Sequence, residues 1–126
     1  MLIRTWLVDG IVVVEVSGRL CAESESALSD SVRDAVHRRR YRLVVNLVDV
    51  SRIDAAGLGE LVRSFRMACV AGGEVKLVVR STAVRDLLAR THLLPLFPAY
   101  DTEAAALASF EAAPLARAVD ATATRR

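Results

Sequence analysis

A chain of 126 residues suits one domain whose core closes without disulfides or metal. The composition is 53% hydrophobic, yet no run of about 18 apolar residues occurs, which argues against a membrane-spanning helix. A net charge of +2 gives no basis for a nucleic-acid binder, and Cys21 and Cys69 form no CxxC unit that would suggest zinc.

In chain order, "LIRTWLV" and "IVVVEV" are β-rich runs joined by Asp9-Gly10, a dipeptide suited to a tight hairpin turn. After Gly18 the period changes to a helical one. Ala27, Leu28, Val32, Ala35 and Val36 share a face, with Glu23 and Glu25 early and Arg38 to Arg40 late, as a helix dipole favours. "YRLVVNLVDV" is apolar on both faces and is expected at the centre of a helix-covered sheet.

A polar turn through Asp49, Ser51 and Asp54 then leads into a helix whose inward set is Leu58, Leu61, Val62, Phe65, Ala68 and Cys69, stopped by Gly72-Gly73. "EVKLVVR" is a fourth strand. Ser81 or Thr82 is expected to cap the helix that carries Val84, Leu87 and Leu88, and "LFPAY" is a short edge strand. Asp101 is expected to cap a last helix with Ala104, Leu107 and Ala108 inward, Phe110 on its flank and Glu111 ending the stripe. The fold class is therefore α/β, a sandwich with a mixed β-sheet in the order ββαβαβαβα and helices packed on it. The domain is expected to span 1–112, with 113–126 a flexible or partner-dependent tail.

Catalytic apparatus is scarce. The chain has no phosphate-binding loop ending in Lys-Ser/Thr, no HExxH and no GxSxG, so it reads as a non-enzyme without cofactor or metal. His37 and His92 read as helix-end and loop histidines, and Asp49 with Asp54 as turn and cap carboxylates. Cys21 reads as a thiol at a helix start and Cys69 as core packing. The joint "DAAGLG" is more informative. Asp54 precedes a helix whose first amides lack intrahelical partners, and Gly57 and Gly59 keep side chains away from an approaching group or serve tight helix–strand packing.

"VVNLVDVSRIDAAGLGELV" resembles the signature of STAS domains, in particular the bacterial anti-sigma factor antagonists: a strand, Asp-hydrophobic-Ser, then Asp-Ser-Ser/Ala-Gly-Leu/Ile-Gly opening a helix. The resemblance extends from about residue 3 to 111 and takes in "SGRL" and "STAVRDLLARTHLLPLFPAYDTEAAALASF". It implies a domain that binds an anti-sigma factor that is also a serine kinase of the GHKL type, and that is released when the serine after the joint aspartate is phosphorylated. Here that serine is Ala55, followed by Ala56, so the phosphoacceptor-equivalent is degenerate. Ser51 matches the Asp-x-Ser element as a turn hydroxyl, and Cys21 stands where the family's G-x-L-D has Asp.

The expected function is a cytoplasmic binding module without a switch at Ala55. Its surface would centre on Arg52, Asp54, Ala55, Ala56 and Gly57, with Glu60, Arg63, Ser64 and Met67 as the outward side of the helix. No direct nucleic-acid or membrane contact is expected, and the hairpin edge leaves room for a homodimer. The alternative is a STAS accessory or scaffold subunit of a signalling or membrane-transport complex.

Overall fold

A computed structural model describes residues 2–21, 26–92 and 98–110. β1 (Leu2–Val8) and β2 (Ile11–Leu20) form an antiparallel hairpin in which Val8 pairs with Ile11. Asp9 at φ 50° and Gly10 at φ 81° make the two-residue turn, as the dipeptide implies. β3 (Arg42–Ile53), β4 (Glu74–Val78) and β5 (Ala99–Tyr100) run parallel to β2, and the strand order β1-β2-β3-β4-β5 leaves β1 and β5 at the edges. Between the strands lie α1 (Ala27–His37), α2 (Ala55–Val70) and α3 (Thr82–Arg90), and residues 103–110 form α4. The order ββαβαβαβα is the expected one.

Strands added in one direction by crossovers of one hand place all the crossover helices on one face of the sheet. The core there joins Val12, Val14, Val16, Leu43, Val45 and Leu77 to Leu28 and Val32 of α1, Leu61 and Ala68 of α2, and Val84 and Leu88 of α3. The strand period of two sends Ile11, Val13, Val44 and Val78 to the opposite face, against Ala106 and Phe110 of α4. Polar anchoring accompanies this smaller core. Asn46 donates from Nδ2 to Glu103 at 2.8 Å, and its Oδ1 accepts the Val48 N–H at 2.9 Å, which ties the start of α4 to β3. The buried Lys76 holds its ammonium 4.5 Å from the Phe110 ring centroid and 5.9 Å from that of Tyr100.

Several local expectations are corrected. Asp49 and Ser51 are strand residues, because β3 stays paired with β2 from Ser17↔Asp49 to Leu20↔Ile53, with a register shift between Gly18 and Arg19 that passes over Ser51, and remains extended where a turn was expected. α1 begins at Ala27, well past Cys21, so that thiol is not at its start. α4 is capped by Thr102, whose Oγ1 accepts the Ala105 N–H at 3.1 Å, while Asp101 receives Arg85 at 3.2 Å. Its buried residues are Ala106 and Phe110, with Ala104 and Ala108 exposed. Glu23, Glu25, Leu96, Phe97, Glu111 and the tail 113–126 lie outside the described residues. Among the described residues no helix is long and apolar enough to cross a membrane.

Candidate functional site

At the end of β3, Asp54 leaves the strand with φ −103° and ψ −174° and becomes the N-cap of α2. Its Oδ1 accepts the Gly57 N–H at 2.8 Å and its carbonyl accepts the Leu58 N–H at 2.8 Å. The Asp54 N–H donates to the Leu20 carbonyl at 3.2 Å, and Ser51 Oγ donates to the Gly18 carbonyl at 3.3 Å, so the joint is tied to the end of β2. Asp54 thus serves as the cap that its position in the sequence suggests, and the helix end is partly satisfied instead of bare. Ala55 and Ala56 begin the helix with exposed methyl groups and no hydroxyl. Arg52, also exposed, is the register neighbour of Arg19 on β2.

The two glycines of the joint differ. A Cβ on Gly57 would stand 2.0 Å from the Leu20 carbonyl oxygen, whereas one on Gly59 would meet nothing within 4 Å. Gly57 is therefore required for close packing of α2 on β2 and is buried, and only Gly59 keeps an outer surface clear.

The outward side expected for α2 is also revised. Glu60 and Ser64 are buried, Met67 is half-buried, and Arg63 alone of the four is exposed. Cys69, expected inside, is exposed. The buried set is Gly57, Glu60, Leu61, Ser64 and Ala68, because α2 packs on α1 as well as on the sheet, and the α1 contact draws polar residues inward. Glu60 Oε2 accepts the Ser29 N–H of α1 at 2.8 Å, while Arg63 reaches Oε1 at 2.7 Å. Ser64 Oγ donates back to the Glu60 carbonyl at 2.9 Å. Ser26, the N-cap residue of α1, makes no side-chain cap bond, so Glu60 supplies that helix with a cap from 31 residues away.

Burial pushes the Glu60 carboxyl up, but hydrogen bonds from Arg63 and Ser29 and the charge of Arg63 outweigh it and hold the group below the ordinary carboxylate value. Sequence reasoning placed this residue on the surface. No local pattern in the sequence indicates an interhelical cap, since the inward set read there, Leu58, Leu61, Val62, Phe65, Ala68 and Cys69, leaves Glu60 on the outer side. Among the described residues no group of three His, Cys, Asp or Glu could hold a metal ion.

Of the nine residues expected to form the surface, Arg52, Asp54, Ala55, Ala56 and Arg63 are exposed and Met67 partly so. Gly57, Glu60 and Ser64 support them from beneath. The result is a capped helix start, small at its centre and charged at its margins, presented at the end of β3.

The family model for the STAS domain matches residues 4–106. The chain is 27% identical over 103 residues to the anti-sigma F factor antagonist of Paenibacillus polymyxa, covering 81% of this chain and 88% of that relative. The crystal structure of an anti-sigma factor antagonist from Mycobacterium paratuberculosis is similar at a TM-score of 0.77 and 28% identity, covering 86% of this chain and 92% of that one. The phosphorylated form of the Bacillus cell fate determinant SpoIIAA shares the fold at a TM-score of 0.69 and 19% identity, over 86% of this chain and 99% of that chain.

Proposed function

This chain belongs to the STAS domain family, of the anti-sigma factor antagonist type, and from that premise we propose that it binds an anti-sigma factor of the GHKL serine-kinase type through the start of α2, without phosphorylation control at Ala55. It is a regulatory, protein-binding module and not an enzyme. The observation that carries the site is the exposed, methyl-only pair Ala55-Ala56 on a capped helix end, flanked by Arg52 and Asp54. Small side chains let a partner's backbone come close, and the surrounding charges select the partner and speed encounter. A serine kinase transfers its phosphoryl group to a hydroxyl, which alanine lacks.

The test is capture from native lysate with mass spectrometry, followed by binding measurements on the recovered protein. A histidine-kinase-like ATPase is the expected prey. Ala55→Glu should weaken its binding by about tenfold or more by burying a charge in the contact. Folding should be unaffected, since the residue is exposed and acidic groups suit a helix N-terminus. Recovery of transporter subunits in place of the ATPase, or unchanged affinity in the variant, would overturn the reading.

A further inference from the structure

Packing of α1 against α2 brings together residues that lie far apart in sequence. Between the two helices runs an open groove of about 810 Å³. Val36, Val62, Met67 and Val70 give it an apolar lining, and Arg33, Arg63 and Arg66 border it with guanidinium groups. At one end Gly59 contributes no side chain and has open space above it, and at the other Val70 is 88% exposed. From Gly59 to Val70 the groove follows α2 for about 16 Å at 1.5 Å per residue, or three turns of a second helix laid alongside.

We infer that this groove docks an amphipathic helix of a partner protein, with an apolar stripe facing Val62 and Met67 and carboxylates flanking that stripe. The inference rests on the reading of α2 as a partner-binding helix and names the chemistry that recognises it. Charge decides the occupant. Arg33 and Arg63 are held by Asp30 at 2.6 Å and Glu60 at 2.7 Å in i,i+3 pairs, and both guanidinium side chains remain about half exposed. The Arg33–Asp30 pair is exposed on both sides and contributes little, so Arg33 can turn to a partner's carboxylate at small cost, whereas Arg63 stays on the buried Glu60 carboxylate and offers a partner only its remaining guanidinium N–H groups. Arg66 has no ion-pair partner among the described residues and leaves the border net positive. A helix-in-groove contact reads apolar anchors at i, i+3, i+4 and i+7, which suits a trough formed by two adjacent helices. A second copy of this chain would bring arginines against arginines.

The probe is a synthetic helical peptide with leucines at i, i+3, i+4, i+7 and i+11 flanked by glutamates, beside a counterpart with lysines in their place. Each is titrated into the full chain and followed by amide chemical shifts. The acidic peptide should shift amides of α1 and α2 along the groove and bind at least tenfold more tightly than the lysine peptide, a Kd difference of one decade. Added salt should weaken it. Arg66→Glu and Val70→Asp, both at exposed positions, should each cost a similar factor while leaving the folded spectrum intact, and Ala55→Glu should not affect the peptide. Equal binding of both peptides, shifts outside the groove, or indifference to Arg66→Glu and Val70→Asp would overturn the inference. So would self-association abolished by Val70→Asp, or preference for anionic vesicles over the acidic peptide. If the captured partner is lost with Ala55→Glu but retained with Arg66→Glu and Val70→Asp, the groove is refuted and the helix-start site stands. The converse refutes that site alone.

Discussion

At Gly57 the absence of a side chain is a packing requirement, since any Cβ would penetrate the Leu20 carbonyl at 2.0 Å. Replacement by alanine forces α2 off β2, and overpacking of this kind costs about 1–3 kcal/mol. Two residues on, the space is open. Gly59→Ala is expected to raise stability by about 0.5–1 kcal/mol through helix propensity. Urea denaturation of both variants checks the pair, and equal effects would refute the distinction. In the sequence the two glycines look alike, two positions apart in the same motif. They differ because a parallel strand's backbone lies beneath one and solvent above the other, and no local pattern carries that information. Asp54 was legible, because a helix cap acts on amides two or three positions away.

The same contrast holds for helices. α2 and α3 carry their caps in their own sequence, Asp54 and Ser81, and both were readable. α1 takes part of its cap from Glu60 on a neighbouring helix, and the interhelical contact explains why a charged residue turns inward. Glu60→Gln keeps an acceptor for the Ser29 amide but loses the charge facing Arg63, an expected cost of about 1–2 kcal/mol at pH 7 for a charge-assisted bond. Because the folded carboxyl titrates below its unfolded value of about 4.3, this stabilisation is complete above that pH and is lost as pH falls through the lower folded value. The stability gap between wild type and variant should therefore be constant near neutrality and close in acid. A gap that persists in acid or widens there would refute the assignment. The inward face of α2 was misread by about one position for the same reason, since apolar periodicity locates the side toward the sheet but not the side toward α1.

Across the whole molecule the sheet separates two cores of unequal size, and α4 covers the smaller one through Ala106 and Phe110. Phe110 is among the largest fully buried side chains and also meets the Lys76 ammonium. Phe110→Ala should destabilise by about 3–5 kcal/mol, as for other buried aromatic truncations, and leave Lys76 buried without one of its ring faces. Thermal or urea unfolding measures the loss; a change under 1 kcal/mol would mean that this face contributes little. Sequence reasoning put Phe110 on the flank, because a helix whose apolar residues are mostly alanines shows no dominant stripe. Which of them turn inward follows from the Asn46–Glu103 anchor and the Thr102 cap, which set the helix's rotation against β3.

The order of strands and helices, the Asp9-Gly10 turn, the central position of β3 and the missing hydroxyl at Ala55 were all decided by the sequence alone. Each depends on residues adjacent along the chain, where periodicity and side-chain chemistry act directly. The interhelical cap from Glu60, the contact that forbids a side chain at Gly57, and the basic-edged groove between α1 and α2 came only with the tertiary structure. Those features join positions tens of residues apart, and their geometry is set when helices pack on the sheet and on one another.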